Sequence, residues 1–160
     1  MRKIIYIFLL VITIVSISFG FFEFLWGDKY SEKKTKIVNM VEDAVGYFHE
    51  NGQEKAFEEF SKEGRFKEGE YYIFILDMTG VMVFHVATPS LIGKNLYNLK
   101  DYKKTLFVQK MIEIANSGEG KGWVEYYWMH PETKKATKKI SYINKLNNEL
   151  FLGIGIYADE

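Results

Sequence analysis

The hydrophobic period of the chain changes from helical to extended between Gly64 and Tyr71, and that change limits the fold more than any other feature. Before it, Ile37, Val41, Ala44 and Phe48 recur at helix spacing, which predicts a long helix with one apolar face. Asn51-Gly52 reads as its stop, and "QEKAFEEFSKEG" reads as a second, shorter helix ended by Gly64. After the switch, "YYIFILD" is apolar on both faces and predicts a buried strand. Asp77-Met78-Thr79-Gly80 is a tight turn, with Asp77 closing it through backbone N–H groups, and "VMVFHVA" returns as the second arm of a hairpin. A long loop, "TPSLIGKNLYNLKD", leads to one more helix in "YKKTLFVQKMIEIANSG", with Asp101 as its expected cap. Three strands come after it, in "GWVEYYWMH", "TKKISYIN" and "LFLGIGIYA". Strand–helix–strand alternation with short loops is missing, so a doubly wound parallel sheet is excluded. The pattern predicts an α+β fold: an antiparallel sheet with a long N-terminal helix packed across one face. At 160 residues the chain has room for one domain with a real core.

The N-terminus carries a separate message. Arg2 and Lys3 precede an uncharged apolar run of about 19 residues, the layout of an export signal. Two readings fit it. Ser18 and Gly20 suit cleavage after Gly20, whereas the length of the run and an interfacial Trp26 suit an uncleaved membrane anchor. Both make residues 1–27 a signal peptide or transmembrane anchor, and both put residues 28–160 outside the cytoplasm, on the periplasmic or cell-surface side. The 21 basic and 21 acidic residues balance, which argues against a nucleic-acid partner. With no cysteine, thiol catalysis, disulfides and zinc–thiolate sites are excluded. Three scattered histidines make no metal-ligand pattern, no serine sits in a nucleophile elbow, and no cofactor motif occurs, so an enzyme is not expected.

Gly118, Gly120 and Gly122 around Lys121 invite comparison with a phosphate-binding loop. That loop needs a strand before it, a helix after it, and Ser or Thr after the lysine. Here the order is reversed and Gly122 follows Lys121, so the glycines read as a sharp passage from helix to strand. In the strand beyond, Val124, Tyr126, Trp128 and His130 share one face, and Trp123, Glu125, Tyr127 and Met129 share the other. So many aromatics can be plain core. Buried hydroxyl and indole tips nevertheless need partners, and a small polar ligand can supply them.

In order, "YYIFILDMTGVMVFHVATPSLIGKN", "KD" before a helix, "GWVEYYWMHP", "KKISYI" and "LGIGIY" resemble the single Cache domain, the extracytoplasmic sensor module of bacterial chemoreceptors and sensor kinases. The resemblance runs from about Tyr71 to Tyr157. It implies a PAS-like sheet, a long helix rising from the membrane, and a pocket on the sheet face away from that helix for a small organic acid or similar metabolite. Family receptors return to the membrane and continue into a signalling domain; here the last strand lies just before Glu160, so the expected route of transmission is a separate sensor kinase or chemoreceptor.

Five residues are candidates for the ligand site. Lys139, on an interior strand, suits a carboxylate, although the run "TKKATKK" also allows a solvated lysine. His85, at the end of its strand, can donate to an acid or be satisfied by backbone. Tyr126 and Trp128 form a wall, and Tyr72 can join them across the sheet. Tyr142 falls on the face opposite Lys139. The rival reading is a membrane-tethered docking or accessory protein with no small-molecule ligand.

Overall fold

A computed structural model of the chain describes residues 31–158. The expected signal peptide or anchor, residues 1–27, lies outside the described residues. The chain divides into two compact units, Met1–Thr35 and Lys36–Glu160, and the second holds the whole of the sheet. Helix α1 spans Ser31–Ser61 and is broken at Gly52, whose backbone (φ 77°, ψ 168°) is open to glycine and almost nothing else. The predicted stop is thus a kink, and the two expected helices are its two arms. Two elements differ from expectation. The "YYIFILD" strand is split: strands β1 (Lys67–Glu68) and β2 (Tyr71–Tyr72) form a small hairpin, and β3 (Phe74–Asp77) starts after Ile73. Helix α2 is short, Phe107–Ala115, and no side chain caps it. Asp101 instead accepts the Thr105 N–H at 2.8 Å and, across the loop, the Tyr127 N–H at 3.0 Å.

Strands β3, β4 (Met82–His85), β5 (Lys121–Met129), β6 (Ala136–Lys145) and β7 (Leu150–Tyr157) form one antiparallel sheet in the order β4-β3-β7-β6-β5. The last strand in sequence is therefore the central one, paired with both β3 and β6. Each face has its own core. Toward α1, Phe84 meets the rings of Phe57 and Phe60 (4.9 and 6.2 Å between centroids), and Ile73, Ile75, Leu152, Ile154 and Ile156 are buried. Each such side chain contributes about 1.5–3 kcal/mol when fully buried. On the other face, α2 lays Phe107, Val108, Met111 and Ala115 over Phe74, Leu76, Val124, Tyr126, Ile143 and Phe151.

The connections at the ends of the sheet fix this second layer. Asp77 accepts hydrogen bonds from the Thr79 N–H, the Thr79 hydroxyl and the Val81 N–H, closing the β3–β4 turn as its spacing predicts. Asn95 donates to the Thr79 carbonyl and the Leu96 N–H donates to that of Gly80, which pins the long loop and leaves Leu96 buried in the layer. The glycine–lysine segment is a helix-to-strand passage: Gly120 has φ 66°, and Lys121 pairs with Glu42 of α1 at 2.8 Å.

Candidate functional site

Between the sheet and α2 lies a cavity of about 20 Å³, room for roughly one water molecule. Phe74, Leu76, Met82, Leu96, Phe107, Val108 and Met111 make its apolar wall. His85, Tyr126, Trp128 and Lys139 complete it. Four of the five residues singled out in the sequence thus surround one space, and the fifth, Tyr72, accepts a hydrogen bond from the Lys139 amine at 2.7 Å.

Register explains the convergence. Lys139 on β6 stands opposite Tyr126 on β5 and Tyr157 on β7, and Phe74 on β3 stands opposite His85 on β4. A bulge between Ile75 and Leu76 lets Phe74, Leu76, His85 and Met82 all reach this face. On β7 the same face reads Phe151, Gly153, Gly155, Tyr157. The two glycines form a groove in the central strand. A β-carbon at Gly153 would run into the Phe74 ring, and one at Gly155 would run into Ser141 Oγ and come within 2.8 Å of Lys139 Cε. The Lys139 side chain needs that missing carbon to lie flat across the sheet.

Lys139 is only 1% exposed. Among the described residues no ion pair involves it. Its Nζ sits 4.0 Å from the centre of the Tyr72 ring, 4.9 Å from that of Tyr157 and 5.7 Å from that of Phe74. Rings stabilise a cation less than a carboxylate does, and burial pushes the amine down to about 7, with Glu70 pulling weakly the other way. Burial, and then the charge of Lys139, push His85 down to about 3, so the imidazole is neutral. Its Nδ1 accepts the Thr88 N–H at 2.9 Å, which puts the remaining proton on Nε2.

A directed chain of hydrogen bonds supports the amine. Tyr157 donates to the Met129 carbonyl at 3.0 Å, and because a carbonyl only accepts, Tyr72 must donate to Tyr157 (3.0 Å) and Lys139 to Tyr72. Tyr157 is also held by its N–H, which donates to Glu70 at 3.1 Å. Burial raises all three phenols that gather here, Tyr157 to about 12 and Tyr72 and Tyr126 higher still. Tyr126 exchanges a hydrogen bond with the buried Ser141 (3.1 Å) and stacks on Phe107 at 4.6 Å. Sequence reading left out Tyr157, Glu70 and Ser141. Tyr157 was within reach of it, because strand parity puts Tyr157 on one face with the two glycines, but the β6–β7 register was needed to bring it to Lys139. Tyr142 turns to the α1 face, beside Trp123, as parity predicts.

This architecture defines a PAS-like α+β domain, with a long helix on one face of an antiparallel sheet and, on the other, a small, mostly apolar cavity that a few polar groups enter. The chain belongs to the Cache domain family, whose model matches residues 27–160. It is 26% identical over 148 residues to the methyl-accepting chemotaxis protein McpP of Pseudomonas putida; the match covers 84% of this chain and 27% of that receptor, so the chain spans about a quarter of the relative's length. Among solved structures, a methyl-accepting chemotaxis protein from Vibrio parahaemolyticus superposes with a TM-score of 0.70 at 26% identity, covering 80% of this chain and 90% of that one. A second, described as the structural basis for carboxylic acid recognition by a Cache chemosensory domain, gives 0.68 at 25% identity, covering 82% and 97%.

Proposed function

We propose that the domain is an extracytoplasmic sensor of a small organic acid, acting in signal transduction with a sensor kinase or chemoreceptor. Residues 1–27 would supply the signal peptide or membrane anchor. One observation carries the reading: a buried lysine amine that faces a cavity and has no ion-pair partner among the described residues. A protonated amine has three N–H donors. One goes to Tyr72. The others, with His85 Nε2–H, suit a carboxylate, and a charge-assisted hydrogen bond of this kind contributes about 1.5–3 kcal/mol. Among the described residues no acidic side chain lines the cavity to receive an α-ammonium group, and Lys139 is the one cation in its lining. The fit is therefore to a short monocarboxylate. At its present volume the cavity must widen to admit even the smallest acid. Carboxylic acid recognition by a Cache domain of similar fold supports the same reading.

Titration calorimetry of the chain with acetate and propionate, beside acetamide and propionamide, tests it. The acids should bind and the amides should not, and Lys139→Ala should weaken the acids by roughly 10- to 150-fold. Equal binding of acids by Lys139→Ala and parent would refute the role of the lysine. The smallness of the cavity favours a second reading, a membrane-tethered docking protein without a ligand; silence toward every acid would select it.

A further inference from the structure

If the domain senses an acid as proposed, we infer that Trp128 is the specificity-determining residue that limits the length of that acid. Two spaces near the lysine have linings that share a single residue. The inner cavity measures about 20 Å³, and an outer recess of about 300 Å³ opens beside it under Ala87, Thr88 and Leu91. The side chain common to the two linings is Trp128. Tyr72 also lines the recess, and its hydroxyl is the acceptor of the Lys139 amine. An acid anchored on Lys139 thus has its head group one side chain away from a much larger volume, with the indole standing between.

The indole is held by ring contacts rather than by polar ones. It meets Phe107 edge-on at 5.6 Å and Tyr126 at 6.3 Å, and it is half-buried. No hydrogen bond to its N–H is found among the described residues, and the N–H is not a buried unpaired group. A smaller apolar side chain at this position therefore removes a wall without orphaning a polar partner. The two spaces then become one, and the alkyl tail of a longer acid gains room outward. Each further methylene removed from water should raise affinity about fourfold.

The experiment is a calorimetric series of straight-chain acids from acetate to octanoate on the full chain, comparing parent, Trp128→Leu and Trp128→Phe, with thermal melts to establish folding. The parent should favour the shortest acids and lose affinity as the chain grows. Trp128→Leu should move the optimum to longer acids, with Trp128→Phe in between. If Trp128→Leu fails to fold, Trp128→Phe, which keeps a ring against Phe107, decides the matter by the same shift. A folded variant with the parent's chain-length profile overturns the inference and leaves the acid reading intact. A parent that binds none of the acids overturns both.

Discussion

Lys139 concentrates the unusual chemistry of the domain in one side chain. An ordinary lysine amine holds its proton to 10.5, but burial brings this one down to about 7. Between those limits the unfolded chain binds a proton that the folded chain does not, so stability should rise with pH across that window. Below it the full desolvation penalty is present. His85, pushed down from 6.5 to about 3, acts in the same direction over its own lower window. Thermal melts of Lys139→Met against parent should therefore show the variant at least as stable at pH 6, an advantage that shrinks toward pH 10, and a shallower dependence below 6.5, because His85 loses the neighbouring charge that helps hold it down. A variant less stable than parent at pH 6 would mean the amine is well compensated. Acid binding should track the same proton. A bound carboxylate favours the charged amine, so affinity should fall by up to about tenfold per pH unit above 7. Calorimetry in buffers of different ionisation enthalpy would read the accompanying proton uptake. The sequence made Lys139 a candidate but could not separate it from the solvated run around it. Lys134, Lys135 and Lys138 have the same chemistry and differ in which way register turns them.

Strand β7 is the element on which the site depends. Its alternation of large residues toward α1 with Gly153 and Gly155 toward α2 lets the Phe74 ring and the Lys139 stem lie against the backbone. Gly155→Ala should destabilise the fold by about 1–3 kcal/mol, because the new carbon must displace Ser141 or Lys139 in a filled layer. Gly46→Ala is the natural contrast. Gly46 lies within α1, is exposed, and has nothing within 4 Å of an added carbon, so the change should stabilise by about 0.5–1 kcal/mol. Urea denaturation of the two variants would check both signs, and a neutral Gly155→Ala would show that the groove has slack. From sequence, "LGIGIY" announced a strand with glycines in it, but not that this strand is central. A Gly in a strand signals close approach, and only pairing names what approaches.

For the whole molecule, the expected consequence of the sensor reading is that residues 28–160 work outside the cytoplasm. A reporter fused after Glu160 should be active on the outer side of the membrane. Activity confined to the cytoplasm would overturn the topology, whether residues 1–27 are a signal peptide or an anchor. The domain's two layers also separate two duties. The α1 face is apolar core with surface ion pairs, such as Arg65 to Asp43 and Lys121 to Glu42, which contribute little individually. The α2 face holds the cavity, the buried lysine and the neutral histidine.

What the sequence determined by itself was local: the helical and extended periods, the Asp77 turn, the Gly52 break, the faces shared along each strand, and the residue types of the site. These depend on neighbours a few positions away, and backbone geometry fixes them whatever the rest of the chain does. The tertiary structure decided the rest. It inserted β7 between β3 and β6, which brought Tyr157 to Lys139 and Tyr72. It turned Asp101 from a helix cap into a tie to Tyr127, and it set the volume of the cavity at about 20 Å³. Strand order, cavity volume and the burial of one lysine among several all depend on which distant segments meet, and local pattern carries no record of that.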